Sequence, residues 1–391
     1  YRMFTMKILL WVSLFFVFYT YAGYTLIALL LTWIKEKRKI AAPGEGTLLP
    51  VTLVIAAYNE EICIEEKIRN CLELDYPENA LKIIIISDGS SDRTPDIIGR
   101  YSQILHLHED KREGKVAAID RAMKFVETPV VIFTDANTFL NPGAVKNIVR
   151  HYNDPKTGGV AGEKRVRQEG DQDLSGAGEG LYWKYESLLK KIDADCYSVV
   201  GAAGELFSVR TALYVYPGTD VILDDFLISL DICRKGYRVA YEPDAYAVEG
   251  PSASMKEEQK RKVRISAGAF QAMLRMADLM NLFRYPKLGF LYLSHRVFRW
   301  TICPLLLPLI LALNSWLVWK NAGTIYSVLL TGQLLFYGLA GLGALLALRK
   351  IVFKPAHLAY YFLFINISLY LGFVRFLKGN QSVLWEKAKR S

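Results

Sequence analysis

Apolar and polar positions along this chain fall into three regimes. Near the N-terminus, Ile8 to Ile34 runs without a charge, longer than the roughly 20 residues that a spanning helix needs. The run is too long for a signal-peptide core and lacks a small-x-small cleavage site, which predicts a retained anchor. Lys35-Glu36-Lys37-Arg38-Lys39 follows at once, and a basic flank of this kind places the next domain in the cytoplasm. Three further apolar runs, Val297 to Trp319, Thr324 to Leu348 and Ala356 to Leu377, predict spans near the C-terminus. Before them, Met273 to Trp300 mixes apolar residues with Arg275, Arg284, Lys287, Arg296 and Arg299, the composition of a segment lying on a membrane surface. Three C-terminal spans would carry Lys378, Lys387, Lys389 and Arg390 to the outside, where basic residues are disfavoured. One of the three is therefore a candidate for an interfacial or re-entrant segment.

Between these ends the pattern alternates strands and helices. Val51 to Ala57 and Leu81 to Ser87 are nearly continuous apolar runs, as expected of strands buried on both faces. Ile104 to His108 and Pro129 to Thr134 predict two more strands. Helices are predicted over Glu60 to Leu74, from Thr94-Pro95-Asp96, over Lys115 to Val126, and from Asp224-Asp225 to a stop at Gly236. This succession predicts an α/β domain with a doubly wound, mostly parallel sheet. The resulting division is 1–40 for the anchor and its basic flank, 41–272 for the α/β domain, 273–300 for the interfacial segment, and 301–391 for C-terminal membrane helices and a basic tail.

The 52% hydrophobic content is concentrated in the two ends. The net charge of +9 fits basic flanks facing anionic lipid. Nucleic acid is a poor partner, because the basic residues hug the apolar runs and no nucleic-acid motif accompanies them. The five cysteines form no CxxC pair and are read as small apolar residues in a reducing compartment. His106 and His108 are read as strand residues, lacking further ligands at metal spacing.

Ligands of doubly wound sheets bind at the carboxyl ends of the strands. Here those ends carry Tyr58-Asn59-Glu60, Asp88-Gly89-Ser90-Ser91-Asp92 and Asp135-Ala136-Asn137. A bare carboxylate cluster repels phosphate unless a divalent cation bridges them, and Mg²⁺ and Mn²⁺ choose oxygen ligands shared with phosphates. The chemistry implied is a metal-bound diphosphate leaving group. Gly176-Ala177-Gly178-Glu179-Gly180 lacks full dinucleotide spacing and is read as a flexible loop beside an acceptor site. Asp224-Asp225 can cap a helix, or one acid can cap while the other faces the cleft as a general base.

The stretches VTLVIAAYNEE, IIISDGSSDRT, REGKVAAID, FTDANT, GLYWKYE, DDFLISLDICRKGYRVAYEPDA and QKRKVR together resemble glycosyltransferase family 2, in its cellulose synthase-like and poly-N-acetylglucosamine synthase-like membrane branch. The resemblance covers about 51–270 and implies a GT-A-type mixed sheet flanked by transmembrane helices. It implies a multi-pass protein of the plasma or inner membrane with a cytoplasmic catalytic domain, and an inverting transferase acting on a UDP-sugar. By resemblance, Ala57, Tyr58, Glu60 and Asp88 would hold the uridine, and Lys115 would lie near the nucleotide. Asp135 would bind the metal, Mg²⁺ or Mn²⁺, Asp225 would be the general base, and Asp224 would support it.

Two departures stand out. Asn137 replaces the second aspartate of a D-x-D motif; its amide oxygen remains a ligand but removes a charge. Gln259-Lys260-Arg261-Lys262-Val263-Arg264 replaces a Q-x-x-R-W pattern, leaving Arg261 and Arg264 to neutralise the departing diphosphate and no tryptophan at Val263. Gln259 and Trp183 are candidate acceptor contacts, although aromatic helix residues are more often core. The expected activity is sugar transfer to a growing β-linked glycan. The alternatives are a single transfer to a lipid-linked or other membrane acceptor, which the missing tryptophan favours, and a non-catalytic membrane scaffold. An accessory subunit would be in keeping with polymer synthesis, but no residue identifies one.

Overall fold

The computed structural model describes residues 1–34, 48–167, 174–250, 252, 254–349, 351 and 353–379, the side chains of 174–179 and 181 excepted. The Lys35 to Lys39 cluster and the tail beyond Gly379, with its Lys387, Lys389 and Arg390, lie outside the described residues. The strands are β1 (Val51–Ala57), β2 (Leu81–Asp88), β3 (Leu105–Glu109), β4 (Val130–Asp135), β5 (Phe139–Leu140), β6 (Thr157–Val166), β7 (Leu206–Arg210) and β8 (Arg238–Glu249). They form one sheet in the order β3-β2-β1-β4-β7-β6-β8-β5.

The first four strands are parallel, as their apolar runs predict. The run of parallel strands then ends: β7 lies antiparallel to both β4 and β6, and β5 is antiparallel to β8. The sheet is therefore mixed, and because β6 also runs parallel to β8, parallel pairing still predominates. The second half escaped the periodicity because β6 carries Gly158, Gly159 and Gly162, whose hydrogens leave room for Ile232, Val239 and Leu206.

Alternation along each parallel strand divides the domain into two cores. Leu53, Ile55, Ile83, Ile85, Val130 and Ile132 face one side, under the helices Ile64–Leu72 and Ala144–Val149. Val54, Ile84, Ile86, Val131 and Phe133 face the other. That second core also takes in Leu189 and Ile192 of the helix Leu174–Cys196, Phe226 and Leu230 of the helix Asp224–Arg234, and Tyr24 and Ala28 of the N-terminal helix. Gly176 to Gly180, expected as a loop, is thus helical, because the packing of this helix's later turns against the sheet outweighs the cost of its glycines.

Among the described residues, four helices are long and apolar enough to cross a membrane: Arg2–Ile34, interrupted by a π-helical turn at Tyr19–Gly23, then Ile302–Trp319, Thr324–Leu348 and Lys354–Leu377. The first half of the N-terminal helix packs on Ile302–Trp319 through Leu10, Leu313 and Leu317. Its second half packs on Leu174–Cys196 instead, where the Tyr24 hydroxyl bonds Asp193. The Lys354–Leu377 helix lies along the domain helix Met255–Arg275. Gly372 makes the close approach possible, since a Cβ there would stand 3.0 Å from the Val263 carbonyl oxygen, and Phe270 contacts Phe373 and Phe376. Its C-terminal end, with Arg375 and Lys378, therefore reaches the cleft of the α/β domain.

The segment expected on the membrane surface, 273–300, turns two of its cations inward. Arg296 and Arg299 are each 6% exposed and grip the buried Glu186, Arg296 Nη1 at 2.9 Å. His295 Nδ1 meets Asp193 Oδ2 at 2.5 Å. An unpaired charge at this depth would be prohibitive, so the carboxylates of Leu174–Cys196 and the cations after Tyr292 are mutually required.

Candidate active site

The register brings the strand ends together: Ala57 pairs with Ser87 and Ala56 with Asp135. Asp88 and Asp135 thus flank the end of β1 on one edge of the sheet. The loops there are laced to one another. Asn59, at φ 53°, accepts the Ser91 N–H at 2.8 Å and donates its own N–H to Ser90 Oγ at 3.1 Å; asparagine tolerates this left-handed backbone better than most residues. The Glu60 N–H bonds Thr94 Oγ1 at 2.8 Å, so the helix predicted from Glu60 starts only at Ile64.

The edge opens into a cavity of about 1170 Å³. Asp135, Asn137, Asp224 and Asp225 line its floor, together with Glu60 and Lys115. Gln259, Arg261 and Arg264 form the opposite wall, on the helix Met255–Arg275, and Trp183 closes one side. Ala57, Tyr58 and Asp88 lie outside this lining. The Ala57 side chain is in the core. Tyr58 lies under the Arg112 guanidinium, 3.7 Å from the ring centre. Asp88 accepts the N–H groups of Glu113 at 3.1 Å and Gly114 at 2.6 Å, and pairs with Arg121 at 2.5 Å. In doing so it fixes the turn that launches the Lys115–Met123 helix. Gly89, at φ 67°, lets that turn close over it, since a Cβ would stand 2.6 Å from Arg112 N.

On the floor, Lys115 Nζ lies 2.5 Å from Asp135 Oδ1. Burial acts to lower the Lys115 ammonium, but Asp135, Asp224 and Asp225 hold it well above its ordinary value. Asp225 is pushed up to about 7, by burial first and by the Asp224 carboxylate second, against the pull of Lys115 and of the Phe226 N–H. That N–H bonds Asp225 Oδ1 at 2.8 Å. Asp224 is 6% exposed, and its Oδ2 has no hydrogen-bond partner among the described residues. A carboxyl titrating near neutrality in a cleft has the property a general base requires.

The opposite wall is basic. Arg261 is held by Glu258, its Nε 2.9 Å from Oε2 and its Nη2 3.0 Å from Oε1. Glu258 is itself buried and held well below the carboxylate range: burial opposes this, but Arg261 and Lys262 prevail. Arg264 is lowered, by burial first and then by Arg261. An acidic floor opposite a basic wall is complementary to a cation–diphosphate pair, with the metal on the carboxylates and the phosphates facing the guanidinium groups.

Among the described residues no group of three or more His, Cys, Asp or Glu side chains forms a ready metal cage. The donor set suits a metal completed by substrate oxygens: Asp135 already attracts a cation in Lys115, and Asn137 stands two residues on, its Nδ2 3.3 Å from Glu249 Oε1. Mg²⁺ in particular takes one or two protein carboxylates and fills the rest of its shell from phosphates and water.

Several lining residues carried no recognisable signal in the sequence. Glu205 and Glu249 are both held by the buried Lys164, at 2.6 Å and 2.5 Å. Gly204 lies against both Lys115 and Asp225. Trp300, Arg375 and Lys378 arrive from outside the α/β domain. Their positions follow from packing between segments far apart in the chain, which no local motif encodes.

The mixed sheet with its carboxylate edge is the GT-A architecture. The fold is similar to that of a mannosyltransferase from Pyrobaculum calidifontis solved in complex with GDP-Man and Mn²⁺, with a TM-score of 0.71 and 21% identity over 95% of this chain and 99% of that one. Residues 52–212 match the family model described as glycosyl transferase family 2, and the chain carries a domain of that family. It is also similar to the poly-beta-1,6-N-acetyl-D-glucosamine synthase of Staphylococcus aureus, at 29% identity over 247 residues, 60% of this chain and 58% of that protein. The corresponding Staphylococcus epidermidis synthase is 27% identical over 258 residues, 62% of this chain and 61% of that protein. The chain thus spans about three fifths of the length of these relatives.

Proposed function

We propose that this protein is a membrane-bound, inverting glycosyltransferase that moves a sugar from a UDP-sugar to a hydroxyl of a β-linked glycan, with its catalytic domain in the cytoplasm. The observation that carries the reading is Asp225, raised to about 7 on an acidic floor that faces Arg261 and Arg264. Asp225 takes the proton of the acceptor hydroxyl as that oxygen attacks the anomeric carbon. The bond from that carbon to the diphosphate breaks from the opposite face, and UDP departs with the electron pair. An α-linked donor therefore yields a β-linked product.

Asp224 keeps Asp225 basic through its adjacent charge. Arg261 and Arg264 offset the charge that develops on the leaving diphosphate. Asp135, with the Asn137 amide oxygen, would hold Mg²⁺ or Mn²⁺, which would neutralise charge on the diphosphate. The nucleotide is placed by Glu60, Lys115 and the loops that Ala57, Tyr58 and Asp88 organise, and the acceptor meets Trp183 and Gln259. The Mn²⁺ in the similar mannosyltransferase and the family of the relatives support this assignment.

The test is turnover of a panel of UDP-sugars by purified protein in lipid with Mg²⁺ or Mn²⁺, followed by sizing of the product. Release of UDP with a long saccharide is expected from a chain-growing synthase, and a single added sugar from one-step transfer. No release from any donor, by folded protein, would refute the transferase reading.

A further inference from the structure

Beside the catalytic cleft lies a second cavity of about 570 Å³, sharing Tyr182, Ile265 and Trp300 with it. Its walls come from helices of membrane-crossing length and from the domain helices that they cover. Tyr21 enters from the N-terminal helix, Ala269 from Met255–Arg275, and Phe362 and Ile365 from Lys354–Leu377. The mouth includes Leu358, which is 53% exposed on the apolar outer face of that last helix. The apolar part of such a lining favours a hydrocarbon occupant.

The charge around the cavity has one sign. Lys184, Lys262, Arg299 and Lys354 line it, and no Asp or Glu does among the described residues. Arg299 is neutralised by Glu186, and Lys262 lies 3.7 Å from Glu258 while its ammonium sits 4.0 Å above the Tyr182 ring. The exposed Lys184 and Lys354 have no acidic partner within salt-bridge distance among the described residues. An apolar chamber with a cationic rim is complementary to an amphiphile bearing an anionic head.

The shared wall says where the head of that amphiphile leads. Trp300 is common to both cavities and meets Phe226 at a tilt, 5.5 Å between ring centres, and Phe226 follows Asp225 directly. A group attached to an anion at the rim therefore lies against a wall of the cleft. We propose that this cavity holds the lipid-phosphate end of a lipid-linked acceptor: the hydrocarbon chain in the chamber, the phosphate on Lys184 and Lys354, and the attached glycan in the cleft beside Trp300. This deepens the transferase reading and rests on it for what the bound lipid is used for. It accords with Val263, which leaves the helix Met255–Arg275 without a stacking tryptophan at that position.

The test is photolabelling of the full chain, in phosphatidylcholine nanodiscs and without donor, by a diazirine-bearing farnesyl phosphate. Labelling is expected on Met255–Arg275 and Lys354–Leu377, to be displaced by unlabelled polyprenyl phosphate and not by phosphatidylglycerol at equal concentration. The double charge reversal Lys184→Glu, Lys354→Glu is expected to cut labelling about tenfold or more while UDP binding persists. Leu358→Trp, which crowds the mouth from an exposed position, is expected to do the same. Equal displacement by phosphatidylglycerol would overturn the proposal in favour of an ordinary boundary-lipid site, and undiminished labelling of the charge-reversed protein would also overturn it. Because labelling is read without donor, absence of UDP release would refute the transferase reading and leave the labelling result standing. Transfer to a soluble oligosaccharide with no labelling would refute the lipid site alone.

Discussion

Lys115 and Asp135 meet at 2.5 Å on the cleft floor, end to end across the first residue of one helix and the last of a central strand. Lys115 also contributes to the field in which Asp225 titrates: burial and Asp224 raise Asp225, and the Lys115 ammonium lowers it.

The acid limb of the pH–rate profile should reflect this field. A general base acts when deprotonated, so kcat/KM is expected to rise as pH increases through about 7, the value to which Asp225 is pushed. Lys115→Met removes the lowering charge and should move the limb to higher pH. Asp224→Asn removes a raising charge and should move it lower. Profiles of the two variants that shift the same way would contradict the assignment.

Asp225→Asn keeps the shape of the side chain and removes its basicity. Transfer is expected to fall by about 10² to 10⁴, with UDP binding by calorimetry near wild type. Equal loss of both would mean that Asp225 acts in binding.

Gly204 tests how tightly the floor is built. A Cβ there would stand 3.2 Å from Lys115 Nζ and 3.3 Å from Asp225 Oδ2, so both groups must shift by a few tenths of an ångström. Gly204→Ala is expected to leave the melting temperature nearly unchanged and to lower kcat about tenfold, as small misplacements of reacting groups do. Full activity would show that this crowding has no catalytic consequence.

Turnover is expected to stop in excess chelator and to return with Mn²⁺ or Mg²⁺. Asn137→Asp adds a charged ligand and should lower the metal concentration needed for half-maximal rate. It also places a carboxylate near Glu249, now 3.3 Å from the Asn137 amide, so the metal-free variant should melt below wild type. Full turnover without metal would remove Asp135 and Asn137 from the role of ligands.

Glu186, on the wall of the cleft, offers a stability test. Its removal as Glu186→Ala leaves Arg296 and Arg299 buried without their carboxylate, at a cost of about 3–5 kcal/mol. Burial acts to raise Glu186, but Arg299 and Arg296 hold it well below its ordinary value. Its stabilisation is therefore present above the unfolded-state value and is lost as pH falls. The melting temperature of wild type should drop in acid more steeply than that of Glu186→Leu, and parallel curves would count against the network.

The legible part of this protein was the part written in local patterns. Strand alternation placed Leu53 and Val54 on opposite faces, and the ends of β1, β2 and β4 brought Glu60 and Asp135 to one ligand edge, because a period of two and a turn residue are properties of a few neighbouring positions. The apolar runs marked the four long helices for the same reason. Less legible were β6, where glycine hides the period, and the helical 176–180 segment, where tertiary packing overrode glycine content.

By itself, then, the sequence determined the alternating framework, the carboxylates at its edge and the helices long enough for a membrane. Only the tertiary structure decided that Asp225 is pushed up to about 7, that Arg296 and Arg299 turn inward to Glu186, and that Trp300 lines both the cleft and an apolar chamber. Each of these depends on burial and on charges brought together from distant segments. Electrostatic energy inside a protein is set by what surrounds a group in space, and its neighbours in the chain supply only a small share of those surroundings.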